Sequence, residues 1–301
     1  MDRLDAMSIL QEAVDAGSLS AAGRRRGMPL ATVSRKVSEL EKHLGTRLLN
    51  RSSRKLTLTD AGLSFVIACR RILEDVAEAE RAASGEYSAP KGELNLAAPV
   101  VFGRLHVLPV VVAFLNTYPD IDIRLMLSDR VVDLQEDHVD LAVRIGELPD
   151  SSMVATRVGS IRRIACGSPI YFAEHGTPRH PEELATRDCI TFTSLMSPDS
   201  WTFKIGKSDE VVAIHSRLVV NTAEAAIDAA IAGVGVTRVL SYQAANAIQA
   251  GTLAVVLSDF EAAPSPVSLV YAGHRLLPQK LRAFLDFAAP RLKAGLSRNM
   301  L

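Results

Sequence analysis

Residues 18–59, SLSAAGRRRGMPLATVSRKVSELEKHLGTRLLNRSSRKLTLT, gather hydroxyl and cationic side chains at spacings suited to holding DNA. Thr32, Ser34, Arg35 and Lys36 fall within little more than one helical turn. Their hydroxyl, guanidinium and ammonium groups can reach base edges when an α-helix enters the major groove. Ser20, Arg24, Pro29, Leu30 and Ala31 lie beside them and complete the expected contact surface. Arg51 and Arg54, in the polar stretch NRSSRK, are placed to grip phosphate or the minor groove. Arg24, Arg25 and Arg26 are consecutive, so they cannot all point one way, and one or two are expected at the DNA backbone.

Two short helices and a hairpin must position these groups. Leu30, Val33, Val37, Leu40 and Leu44 recur at 3.6-residue spacing and predict a helix whose apolar stripe faces a core. Leu4, Met7, Leu10 and Val14 predict an earlier helix ending near Gly17. Ser18 or Ser20 can cap a short helix running to Arg26, Gly27 permits a turn, and Pro29 suits a first helical position. Leu48–Leu49 and Leu56–Leu58 read as two short strands around the NRSSRK tip. This is the layout of a winged helix-turn-helix. Thr59 then caps a long helix to about Ser84. Phe65, Cys69, Ile72, Val76, Ala79 and Ala83 alternate spacings of four and three, a heptad seam suited to pairing two chains, with Cys69 facing its counterpart. The alternative is a helix lying on its own domain's core.

Composition narrows the function. The chain has 301 residues and no formal net charge. Residues 1–60 nevertheless carry 11 Lys and Arg against 7 Asp and Glu, a surplus of +4 that the remainder offsets. A basic head on a mildly acidic body suits phosphate contact by one module. The three cysteines, Cys69, Cys166 and Cys189, form no CxxC pair and suit a reducing cytoplasm. No secretory leader is evident. The longest candidate membrane stretch, Val107–Leu115, contains Pro109 and is short of a span. No HExxH, GxSxG or complete dinucleotide-binding glycine pattern occurs, since Gly233 and Gly235 form only GxG. Trp201 reads as core. No metal, cofactor or enzymatic activity is expected.

Beyond the linker GEYSAPKG (85–92), strands and helices alternate. Strands are predicted at Leu94–Ala98, Ile121–Leu127, Asp140–Ile145, Ile190–Thr193, Val211–Val220, Val234–Leu240, Thr252–Leu257 and Val267–Val270. Helices are predicted at Leu105–Asn116, Thr222–Ala232 and Gln279–Leu296. Such alternation argues for sheets covered by helices, with ligands at strand ends. Thr193, Ser194, Asn221 and Thr222 end such strands and are candidate ligand donors; the bland reading is turn chemistry and helix capping.

The stretches AGSLSAAGRRRGMPLATVSRKVSELEKHLGTRLLNRSSRKLTLTDAG, FLNTYPDIDIRL, VDLAVRIGEL and AAIAGVGVTRVL resemble LysR-type transcriptional regulators over essentially the whole chain. The resemblance implies an α/β protein with an N-terminal winged helix-turn-helix (1–58), a linker helix that pairs chains (59–92) and a C-terminal effector domain (93–301). That domain resembles a periplasmic solute-binding protein: lobe I at about 93–163 and 268–301, lobe II at about 164–267, joined by two crossing strands. Ser34 and Arg35 match the family's VSR motif, whereas Thr32 and Lys36 occupy variable positions. Leu30 and Ala31 stand where many relatives carry Gln and Pro, so the preferred operator should differ. The resemblance places the effector near Pro99, Val100, Val101 and Phe102, and near Gly146. APVVFG lacks the Ser or Thr that often holds a ligand carboxylate, although an oxyanion can still meet N–H groups at the next helix start. Implied partners are promoter DNA, a small-molecule effector such as an organic or aromatic acid, and further copies in a homodimer or homotetramer in the cytoplasm. The competing reading is a cytosolic solute-binding or enzymatic α/β protein with a basic interaction module.

Overall fold

The chain enters its first helix through Asp2, whose carboxylate accepts hydrogen bonds from the N–H groups of Leu4 and Asp5 and caps α1, Arg3–Asp15. The computed structural model describes residues 2–51, 56–84, 89–148, 153–192, 199–273 and 277–298. These divide into two units, Met1–Ala89 and Pro90–Leu301.

In the first unit, Ser18 caps α2, Leu19–Arg26, at the N–H of Ala21. Gly27 ends that helix at φ 63°, a left-handed conformation open to glycine at little cost. α3 covers Leu30–Leu44 and begins after Pro29, which precedes the helix rather than opening it. β1, Leu49–Arg51, and β2, Leu56–Leu58, pair antiparallel with Leu49 opposite Leu58. Arg54 lies outside the described residues. Thr59 caps α4, Asp60–Ser84, by accepting from the N–H of Gly62. One apolar cluster joins these elements through Ile9, Leu10, Val33, Val37, Leu40, Leu48, Leu49 and Val66.

Two expectations change here. Leu30 and Leu44 are 51% and 38% exposed, not part of the core, whereas Val33, Val37 and Leu40 between them are buried. The heptad seam of α4 is also divided. Cys69 is fully buried within this one chain, so it does not face a counterpart, whereas Ile72 remains 40% exposed. Helix α1 has already covered part of the stripe: Phe65 and Val66 pack into the same core as Ile9 and Leu10.

The second unit begins with β3, Gly92–Ala98, followed by α5, Val100–Phe102, a π-helical turn at Gly103–Val107, and α6, Leu108–Thr117. This continuous helical stretch starts earlier than predicted. It is long and apolar enough by composition to cross a membrane, with a mean hydropathy of 1.7. Val101, Phe102, Val107, Val110, Val111 and Phe114 are nonetheless buried in the core beneath it. Then come β4 (Ile121–Leu127), β5 (Leu141–Ile145), β6 (Met153–Ile161), β7 (Arg163–Gly167), α7 (Pro169–His175) and β8 (Asp188–Phe192). The remainder is β9 (Ser200–Ile205), β10 (Ser208–Ala213), β11 (His215–Val220), α8 (Ala223–Ile231), β12 (Val236–Leu240), α9 (Ser241–Gln249), β13 (Ala254–Val256), β14 (Ser265–Ala272) and α10 (Gln279–Arg298).

Two five-stranded sheets result, ordered β4-β3-β5-β14-β6 and β11-β8-β12-β7-β13. In each, four strands share one direction and a single strand, β14 in the first sheet and β7 in the second, runs against them. The chain crosses between sheets at Arg162, and returns between β13 and β14. This gives two lobes joined by two crossings. The single strand predicted at Val211–Val220 is instead two: β10 pairs with β9 in a hairpin, and β11 joins the second sheet. No Gly or Pro within 211–220 marks the change of sheet at buried Ile214.

Candidate nucleic-acid interface and effector cavity

Burial of Val33, Val37 and Leu40 turns the opposite face of α3 outward. Pro29, Leu30, Ala31 and Arg35 are exposed there, and Thr32, Ser34 and Lys36 are half-buried beside them. The Arg35 guanidinium lies 2.8 Å from Glu39 one turn on, with its side chain 64% exposed. Such a pair is weak in water and gives way readily to phosphate or a base. Lys36 is held differently: its ammonium reaches back to the Asp5 carboxylate on α1. Helix packing therefore uses a side chain that the motif assigned to DNA.

The arginine triplet also separates by role. Arg26 turns inward to Asp5, Ser8 and Glu12, at 3.3 Å from the last. Arg25 lies 3.8 Å from Glu12 and is mostly exposed, while Arg24 is exposed at the end of α2. Ser20 Oγ meets Ser18 Oγ at 3.2 Å, within the capping turn. The strand backbone at Arg51 is in place opposite Leu56. One residue that the sequence reading passed over is Glu41. Buried at the end of α3, its carboxylate accepts the N–H groups of Leu48 at 2.9 Å and Leu49 at 3.1 Å, fixing the start of the hairpin to the helix. Its signal was an acidic residue on the apolar side of the predicted helix, one position after Leu40.

In the second unit a cavity of about 490 Å³ opens between the lobes, in the range that holds small molecules. Pro99 and Gly146 line it as expected, and so does Phe192, next to Thr193 and Ser194, which lie outside the described residues. The other expected ligand residues do not line it. Val101 and Phe102 are buried in the lobe core, turned inward by the helix that starts at Val100. The Val100 N–H is already bonded to the Asp129 carboxylate at 3.0 Å. Thr222 caps α8 at the N–H of Ala225, and Asn221 is exposed, both following β11, an edge strand of the second sheet.

The wall is built instead from segments the sequence reading left unassigned. Ser128, Asp129, Val131 and Val132 come from the loop after β4, Arg163 from the start of β7, and Tyr242 and Gln243 from α9. Gln243 accepts the Leu240 N–H at 2.9 Å, so the helix start is closed from within. Tyr242 packs edge-on against Phe102 and His106, both ring centroids at 5.5 Å, and so carries lobe II against the helix of lobe I. Burial pushes the Tyr242 phenol up and the Arg163 guanidinium down from their ordinary values. Both groups are therefore held out of bulk water.

The two halves of the chain match two family models. Residues 4–63 match the bacterial regulatory helix-turn-helix protein of the lysR family, and residues 88–293 match the LysR substrate binding domain. This chain belongs to the LysR family of transcriptional regulators. Among its relatives, the probable HTH-type transcriptional regulator LtrA of Klebsiella pneumoniae is 31% identical over 98% of this chain and 97% of that protein. The regulator CrgA of Neisseria meningitidis is 32% identical over 95% of this chain and 96% of its own. The CrgA structure aligns with a TM-score of 0.61 at 30% identity, covering 96% of this chain and 98% of that one. The Vibrio cholerae virulence activator AphB aligns with a TM-score of 0.60 at 30% identity, over 95% of this chain and 98% of its own. As a LysR-type regulator, the protein joins a DNA-binding helix-turn-helix to an effector-binding domain in one chain.

Proposed function

We propose that this regulator reads promoter DNA with the exposed face of α3 and that a small molecule in the interlobe cavity alters that binding. Residues 1–58 bind DNA, 59–92 join copies of the chain, and 93–301 respond to the effector. Thr32, Ser34 and Arg35 read the major groove, with Leu30 and Ala31 giving apolar contacts to thymine methyl groups. Arg24, Arg51 and Arg54 hold phosphates. Lys36 supports the helix from α1 and contacts DNA only where Asp5 releases it. The observation that carries this reading is the division of α3 into a buried face of Val33, Val37 and Leu40 and an exposed face that includes Arg35.

The protein acts as a homodimer or homotetramer in the cytoplasm, where its operator is, and performs no catalysis. Exposed Leu63 and Ile72 on α4 support pairing between copies. The effector works by binding one arrangement of the assembly more tightly than another. The test is Arg35→Ala in a gel-shift series on the operator. A loss of about 1–3 kcal/mol of affinity is expected from one bidentate base contact, with a smaller loss on unrelated duplexes. Unchanged operator affinity removes Arg35 from recognition.

A further inference from the structure

Glu39 stands on α3 one turn beyond Arg35, outside the set of residues assigned to the groove. Thr32, Arg35 and Glu39, spaced by three and four, share one side of that helix. The contact between the last two is specific at the level of atoms. Arg35 donates through Nη1 to Glu39 Oε1 at 2.8 Å. It forms no other hydrogen bond or ion pair among the described residues, so its Nε–Nη2 edge is open. The two side chains are 64% and 40% exposed, and both can meet a duplex. The neighbouring cation is held otherwise, since Lys36 reaches Asp5 on a different helix.

Helix stability does not account for the pair. At this spacing an acidic residue placed before a basic one stabilises more than the reverse order found here. An exposed pair is also worth little in water. Its effect on recognition is larger. A free arginine loses rotamer freedom when it docks, and one already held loses less. A guanine offers O6 and N7 to two N–H groups of one guanidinium. The Nε–Nη2 edge can supply both while Nη1 stays on Glu39, so the base is read without breaking the pair. Exclusion of water in the groove strengthens the charge-assisted bond that remains. A carboxylate on this face repels phosphates at every site alike, whereas its hold on Arg35 is felt only at the base Arg35 reads.

We propose that Glu39 is a positioning residue, fixing the Arg35 guanidinium so that its free edge meets one guanine of the operator. This rests on the reading of α3 as the groove-facing helix and of Arg35 as a base contact.

The full chain, mixed with a randomised pool of duplex oligonucleotides, supplies the test through the sequences it retains. Wild type should select a motif containing a guanine preference that Arg35→Ala loses. Glu39→Ala should weaken preference at that same guanine by about three- to tenfold, the range set by ordering one long side chain. The other positions of the motif should stay as they are. Glu39→Gln keeps an uncharged oxygen for Nη1 and should fall between. Adding Glu39→Ala to Arg35→Ala should weaken that position no further. Full guanine preference in Glu39→Ala, while Arg35→Ala loses it, overturns the positioning role alone. A loss at a different base pair does the same, since Glu39 would then read a base itself. A uniform rise in affinity with the motif intact leaves only repulsion of phosphate, and overturns it too. An Arg35→Ala motif identical to that of wild type overturns the reading of Arg35, and this inference falls with it.

Discussion

Arg35 and Lys36 are neighbours with like charge, yet α3 sends one outward to Glu39 and the other back to Asp5 on α1. A helix turns about 100° per residue, so a motif's adjacent cations cannot share one partner surface. Glu41 shows the same logic from the core side. Its carboxylate satisfies two N–H groups where the hairpin leaves α3, and both backbone donors are buried with it. Glu41→Ala should cost about 2 kcal/mol, because it strands buried donors rather than losing a surface contact. Urea unfolding of the full chain, followed by a probe in the first unit, should show a lower midpoint. Glu41→Gln, which keeps an acceptor, should recover much of the loss. Neither residue's role is visible in the motif. The motif gives the residue types, but the partner helix and the hairpin decide where each side chain goes.

At the level of elements, two contacts deserve test. A Cβ on Gly62 would lie 2.0 Å from the Leu48 carbonyl oxygen, so the first turn of α4 fits against the hairpin only without a side chain. Gly62→Ala should destabilise the first unit by more than the roughly 1 kcal/mol expected from Thr59→Ala, which removes only the cap. Comparing the two by thermal unfolding checks that order; equal or reversed losses would mean the hairpin moves aside freely. The π-helical turn in the second unit places His106 between Phe102, at 4.8 Å, and Tyr242. Burial holds its imidazole below the ordinary 6.5, so the folded state favours the neutral ring while an unfolded chain takes up a proton near that pH. Stability contributed by this site is therefore present above about pH 6.5 and is lost as pH falls through and below it. Unfolding midpoints between pH 7.5 and 5 should decline less steeply in His106→Phe than in the wild type. Parallel declines would show that His106 does not set the slope.

Across the whole molecule, charge and apolar surface are unevenly distributed. The basic surplus lies in residues 1–60, and α4 leaves Leu63 and Ile72 exposed although Cys69 and Val66 on the same helix are buried. If copies pair along α4, Ile72→Glu should shift sedimentation velocity towards the smaller species at micromolar concentration. The same variant should also weaken operator binding, since separated copies lose the gain from binding two half-sites together. Sedimentation identical to wild type would place the pairing surface elsewhere.

The helix-turn-helix, its caps at Ser18 and Thr59 and the turn at Gly27 were legible in the amino-acid sequence. Each depends on a local rule: a hydroxyl before a helix, a glycine at positive φ, an apolar residue each turn. Most strands of the two sheets were legible for the same reason, through short apolar runs bounded by turn residues. The break at Ile214 and the strands β6 and β7 were not, because pairing partners far along the chain decide which sheet a strand joins. The cavity depended still more on distance. Asp129, Arg163 and Tyr242 are remote in sequence and come to line one cavity only after the chain has crossed between lobes, so tertiary structure alone brings them together.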